Sequence, residues 1–155
     1  MLRRFARTLC ALFLAAAGTV TLTGVAQADV IVGPGATGHV CTGYSYIQVN
    51  PTAVYWQTCA WADDDEVWFT VHFGNTGSSQ YTIQHVFSDY YKSGSFHACQ
   101  IPVAPNLVIP AHSVIGTSTS RCAQKRRTPA AWAATTRVLT GNYDVTLNSD
   151  TLQVQ

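Results

Sequence analysis

Glu66-Val67-Trp68-Phe69-Thr70-Val71-His72-Phe73 repeats with a period of two: Val67, Phe69, Val71 and Phe73 form one set, and Glu66, Trp68, Thr70 and His72 form the other. Such alternation of β-branched and aromatic residues specifies a strand with one core face. The next residues, Gly74-Asn75-Thr76-Gly77-Ser78, tolerate positive φ and read as a loop. Working backwards, Tyr44 to Val49 and Thr52 to Trp61 read as strands meeting at the turn dipeptide Asn50-Pro51. Working forwards, Gln80 to Tyr91 has strand composition, but its alternation slips between Ile83 and Val86, which predicts a bulge near Gln84-His85. Phe96 to Ile101, Leu107 to Ile109, Ser113 to Gln124, Trp132 to Leu139 and Tyr143 to Leu147 follow, with Leu152 and Val154 closing an edge. No helical stripe interrupts them. About nine antiparallel strands in one unit predict an all-β, two-sheet sandwich, in preference to a closed barrel.

Val67 to Gly77 (VWFTVHFGNTG), followed later by Ile109-Pro110-Ala111-His112-Ser113, resembles the strand-then-N-x-G and I-P-A-x-S pattern of many bacterial immunoglobulin-like domains. The resemblance implies an immunoglobulin-like β-sandwich. It implies no activity, because that fold carries many unrelated functions.

The first 28 residues read as a secretory signal peptide. Arg3, Arg4 and Arg7 precede the apolar run Leu9 to Ala17, and Ala26-Gln27-Ala28 fits a small-residue cleavage site. The run falls short of the about 20 residues needed to span a bilayer. The expected mature chain, residues 29–155, is one β-sandwich domain, secreted and extracellular, with no membrane attachment after cleavage. Loss of the three leader arginines converts the formal net charge from +1 to −2. A chain so poor in charge lacks the broad basic field that nucleic-acid binding requires, so that class is excluded.

Cys10 leaves with the leader, and the even set Cys41, Cys59, Cys99 and Cys122 fits two disulfides in an oxidising compartment. Of three possible connectivities, turn symmetry favours one. The midpoint of Cys41 and Cys59 falls on Asn50, and that of Cys99 and Cys122 falls between Pro110 and Ala111. Residues placed symmetrically about a turn face each other across a hairpin, which predicts Cys41–Cys59 and Cys99–Cys122. Each bridge would contribute about 3 kcal/mol through loop closure.

No G-x-S-x-G, H-E-x-x-H, C-x-x-C or phosphate-binding glycine loop occurs, so no catalytic residue, metal ligand or cofactor is expected. The clustered carboxylates Asp63-Asp64-Asp65-Glu66 point in different directions and read as a solvated hairpin tip rather than a Ca²⁺ site. The basic run Lys125-Arg126-Arg127, hanging off Cys122, is a candidate binding loop for a trypsin-like proteinase, or a turn paired with the acidic run. Trp68 and His72 share the non-core face of their strand and, with Tyr44 and Tyr46 on another, form a candidate binding surface. Trp56, Trp61 and Trp132 lie in apolar settings and read as core. These features predict a secreted, non-enzymatic binding protein, expected as a monomer, with an extracellular protein or carbohydrate as partner. A disulfide-tethered proteinase inhibitor is the alternative, and a small secreted hydrolase the next.

Overall fold

A computed structural model describes residues 30–49, 52–99, 104–117 and 122–155. The expected signal peptide (residues 1–28), the Asn50-Pro51 turn, residues 100–101 of one expected strand and 118–121 of another lie outside the described residues.

Four long strands carry the structure. They are β4 (Thr52–Ala62), β5 (Glu66–Asn75), β6 (Tyr81–Lys92) and β11 (Ala130–Thr140). Shorter strands complete the lanes beside them: β2 (Gly38–Cys41) and β3 (Ser45–Val49) follow one another along β4, while β9 (Ser113–Gly116) and β10 (Ala123–Lys125) share the free side of β5. Likewise β7 (Ser95–His97) and β8 (Ala104–Ile109) flank β6, and β12 (Tyr143–Asn148) and β13 (Leu152–Val154) flank β11. β1 (Val30–Val32) joins outside β13. The result is an all-β fold of a six-stranded sheet built on β4 and β5 and a seven-stranded sheet built on β6 and β11. Broken outer lanes leave only short unpaired edges, which limits edge-to-edge association.

The chain makes the β4–β5 hairpin in one sheet, crosses to β6 and its partners in the other, returns to β9 and β10, and crosses again to β11. Two expectations need correction. The fold is not wholly antiparallel, because β1 runs parallel to β13 with Val30 opposite Leu152. The described residues also form more strands than nine, since β1 and β2 are too short and too glycine-rich in their surroundings to register as periodic segments.

β5 behaves as its alternation dictates. Val67, Phe69, Val71 and Phe73 are all buried between the sheets. They divide between two apolar clusters, one around Phe69, Tyr90 and Trp132, the other around Trp56, Phe73, Ile83 and Val138. Fully buried hydroxyls lie among them: Thr58 of β4 and Thr136 of β11 meet across the sheets at 2.7 Å, and Thr58 also donates to the Thr70 carbonyl. The slip in β6 is real, with Ile83 and Val86 both buried, but no residue is inserted. Pairing to β8 keeps one register on both sides of Gln84, and the opposing Asn106 takes φ 50°, so one residue on each strand leaves the ladder together.

Cys41–Cys59 and Cys99–Cys122 are the two disulfides. The first links residues directly opposite on β2 and β4, the expected pair, although Val49 lies opposite Thr52 and the register that brings the cysteines together is set by one extra residue between Cys41 and Ser45. Asn75 knits the loop after β5: its Oδ1 accepts from the Gly77 N–H at 2.9 Å, and its Nδ2 donates to the Ser79 and Ile109 carbonyls. The two sequence stretches that carry the family resemblance therefore touch.

Candidate functional site

The outward face of the six-stranded sheet is aromatic, and a bulge helps to make it so. Thr42 donates its N–H to the Thr58 carbonyl, whereas Ser45 already lies opposite Trp56, so Gly43 and Tyr44 together oppose Gln57. One extra residue reverses the facing of everything beyond it. Val40 points inward before the bulge and Ile47 after it, which leaves Tyr44 and Tyr46 both outward, 56% and 59% exposed.

Tyr46, Tyr55, Gly74 and Val114 are consecutive cross-strand neighbours on β3, β4, β5 and β9, forming one row across the sheet. Gly74 is essential to its shape. A Cβ there would stand 2.0 Å from Cζ of Tyr55, so the phenol ring leans across the Gly74 backbone, the way aromatic residues cover glycine in sheets. Tyr44 meets the Tyr55 ring edge-on with centroids 5.2 Å apart, and Tyr46 is tilted against it at 6.1 Å. Val114, 67% exposed, closes the row.

Toward the other end of the sheet the rings stand upright. His39 and Trp61 face each other at 4.2 Å, and Trp61 is parallel to Trp68 within 5° at 6.3 Å. Faces of rings on adjacent strands can meet at that spacing only if the planes rise from the sheet, so this group offers edges to solvent. Trp61 therefore corrects the expectation that it is core, while Trp56 and Trp132 are buried as expected. Trp61 donates its indole N–H to Thr70 Oγ1 at 2.9 Å, and that hydroxyl is 3.1 Å from Nε2 of His72. His72 is half-buried over Gly116, and burial holds its pKa below the usual histidine value, so it is neutral at pH 7. Trp68 and His72 thus lie on one face, as expected, joined by Trp61, which was expected in the core, and by Tyr55 and His39, which the sequence analysis did not assign to it. Strand parity was the available signal: Tyr55 and Trp61 alternate with Val54, Trp56, Ala60 and Ala62, which are buried between the sheets.

The acidic and basic runs meet beyond this face. Asp63 Oδ1 accepts the N–H groups of Glu66 and Asp65, both at 2.9 Å, closing the β4–β5 tip and holding its carboxyl below the ordinary aspartate range. Lys125 pairs with Glu66 at 2.7 Å, and the Arg126 N–H donates to the Asp65 carbonyl at 2.8 Å. The Arg126 guanidinium turns inward and donates to five carbonyls: Asp63, Gly33 and Gln155 at 2.6, 2.7 and 2.8 Å, Val32 at 3.2 Å and Ala36 at 3.3 Å. The Arg127 side chain is exposed and bonds to no described side chain or carbonyl. Three adjacent cations therefore have three different environments.

Among the described residues, Glu66 and Lys125 are the only charged side chains on the outward face of this sheet, and they neutralise each other at one end. No group of three or more His, Cys, Asp or Glu side chains among the described residues is placed to hold a metal ion. No family model, curated protein or solved structure matches the chain.

Proposed function

We propose that this chain is a secreted, non-enzymatic binding protein with an immunoglobulin-like β-sandwich, and that it holds a neutral carbohydrate on the outward face of the six-stranded sheet. The architectural part draws support from the connectivity: a hairpin in one sheet, a crossing, a hairpin in the other, and return strands that pair with the inner strand of each hairpin. Contact between the N-x-G and I-P-A-x-S stretches through Asn75 points the same way. Two disulfides accord with an oxidising, extracellular compartment.

One observation carries the binding reading: along the row Tyr46–Tyr55–Gly74–Val114, with Tyr44 beside it, exposed Tyr44, Tyr46 and Val114 surround the half-buried Tyr55 ring, and none of these residues is charged. Aromatic side chains offer large contact area with little entropy to lose, and phenol hydroxyls supply hydrogen bonds at the rim. A sugar polymer presents the complementary surface, with C–H faces for the rings and hydroxyls for Tyr44, Tyr46 and Gln57. A polyanion or polycation would find no counter-charge here. The test is depletion of the protein from solution by insoluble cellulose, chitin and xylan, paired with tryptophan fluorescence on adding their soluble oligosaccharides. Binding to one of these, lost in the Tyr44→Ala/Tyr46→Ala protein, is the expected result. A protein that stays in the supernatant in every case, with unchanged fluorescence, refutes the reading.

A further inference from the structure

We propose that the turn at residues 126–129 is a substrate-like loop for trypsin-like serine proteinases, presenting the Arg127–Thr128 bond. The inference is independent of the carbohydrate reading, because the loop sits at the Glu66 end of β5 and the aromatic row at the Gly74 end.

The turn links β10, in the six-stranded sheet, to β11, in the seven-stranded sheet, so each of its ends is fixed to a different layer. On its leading side Lys125 is in the β5 ladder and ion-paired to Glu66. Arg126 is fixed by its N–H on Asp65 and by a guanidinium threaded among five carbonyls. Arg127 donates its N–H back to the Lys125 carbonyl at 3.1 Å, which tightens the turn, and then sends its side chain outward. Thr128 and Pro129 are exposed, and Ala130 enters the β11 ladder opposite Val154. A shallow hollow lies between the turn residues Arg126 to Pro129 and the neighbouring Pro34, Gly35, Asp64 and Gln155, so this side of the turn is open to solvent.

The chemistry of the partner follows from Arg127, whose side chain, unlike those of Lys125 and Arg126, has no bonding partner among the described residues. A trypsin-like proteinase reads arginine through an acidic specificity pocket, where a guanidinium makes paired charge-assisted hydrogen bonds. Arg126 cannot serve, since entering such a pocket would break its bonds to the carbonyls; Arg127 can. A loop already held on both sides loses little freedom on docking, the one internal change being that the Arg127 N–H exchanges the Lys125 carbonyl for the backbone of the proteinase as the turn extends. The same restraint acts after attack. The proteinase serine adds to the Arg127 carbonyl carbon, its proton passes through the catalytic histidine to the Thr128 nitrogen, and the amide bond breaks. β10 and β11 then hold that amine beside the acyl carbon, so the reverse reaction competes with hydrolysis.

The experiment is titration of active-site-calibrated bovine trypsin with the purified protein, with intact mass measured over the same hours, for the natural sequence, Arg127→Ala and Arg127→Lys. Stoichiometric inhibition that Arg127→Lys largely keeps and Arg127→Ala weakens by about 30-fold or more, as for a hot-spot side chain, is the expected outcome. Circular dichroism verifies that both variants are folded. The proposal is overturned if trypsin stays fully active, if it cuts the chain after Arg127 without being inhibited, or if Arg127→Ala inhibits as well as the natural protein.

Discussion

Replacing Arg126 with methionine keeps the unbranched stem and removes the guanidinium, which makes it the sharpest test of what holds this end of the fold together. Of the five carbonyl contacts, those to Ala36 and Gln155 are solvent-exposed, and water can replace them. The bond to Val32 is long, at 3.2 Å, and that carbonyl also accepts from the Gln155 N–H. The bonds to Asp63 and Gly33, at 2.6 and 2.7 Å and partly buried, remain as the main terms. Hydrogen bonds from a charged donor contribute about 1.5–3 kcal/mol each, and the lower end applies to partly wet sites, giving about 3 kcal/mol for the two. Some of this is returned as the carbonyls rehydrate, so the expected loss is about 2 kcal/mol, or a fall in Tm of about 8 °C for a domain of this size. Urea unfolding followed by tryptophan fluorescence measures it. Arg126→Lys should recover only part of the loss, because an ammonium cannot reach carbonyls spread around a planar fork. Arg137→Met is the control: its pair with Asp144 lies on the surface, and such pairs contribute little. If the Arg126→Met midpoint coincides with that of Arg137→Met, the carbonyl cage does not stabilise the fold.

Gly74→Ala should leave the midpoint of unfolding within about 1 kcal/mol, since the clashing atom is the movable end of Tyr55, yet reduce carbohydrate binding by lifting that ring; titration calorimetry beside urea melts separates the two effects. Replacing Cys41 and Cys59 together by serine opens a loop of sequence separation 18 and should cost about 3 kcal/mol, read from the same melts under non-reducing conditions. His72 has a folded pKa below its unfolded value, so the unfolded chain takes up its proton first as pH falls. Its contribution is therefore complete above about pH 6.5 and declines as pH drops toward the folded pKa, and His72→Gln should flatten that part of the stability–pH curve. An unchanged curve in His72→Gln would remove histidine burial as the cause.

Much of the fold was legible because its signals are local. β5 needs only its own alternation, and the Cys41–Cys59 bridge was within reach of symmetry about one turn, the bulge at Gly43-Tyr44 supplying the one-residue shift that places the two cysteines opposite each other. The short strands β1 and β2 were invisible as periods because pairing to a neighbour, not composition, defines them. The face of Trp61 was misjudged by weighing its apolar surroundings above its parity in β4. Tyr55 was passed over because Gly74, which lets its ring lie across the sheet, is remote in sequence. The different fates of Lys125, Arg126 and Arg127 were least accessible: nothing in three adjacent cations tells which will meet carbonyls at Val32 and Gly33, more than ninety residues earlier.

The parallel pairing of β1 with β13 sets an order of events. Val30–Val32 is the first described strand to leave the ribosome, and its partner Leu152–Val154 is the last. Until β13 has been made and has docked on β11, β1 has no lane to join, and Val32, destined for the core, stays in water. Arg126, whose carbonyl partners come from both of these segments, can complete its contacts only at that moment. The seam between the first and last described strands is thus expected to close late, and a chain cut short before β13 is expected to retain its central strands while leaving β1 without its ladder partner and Arg126 without its Gln155 contact.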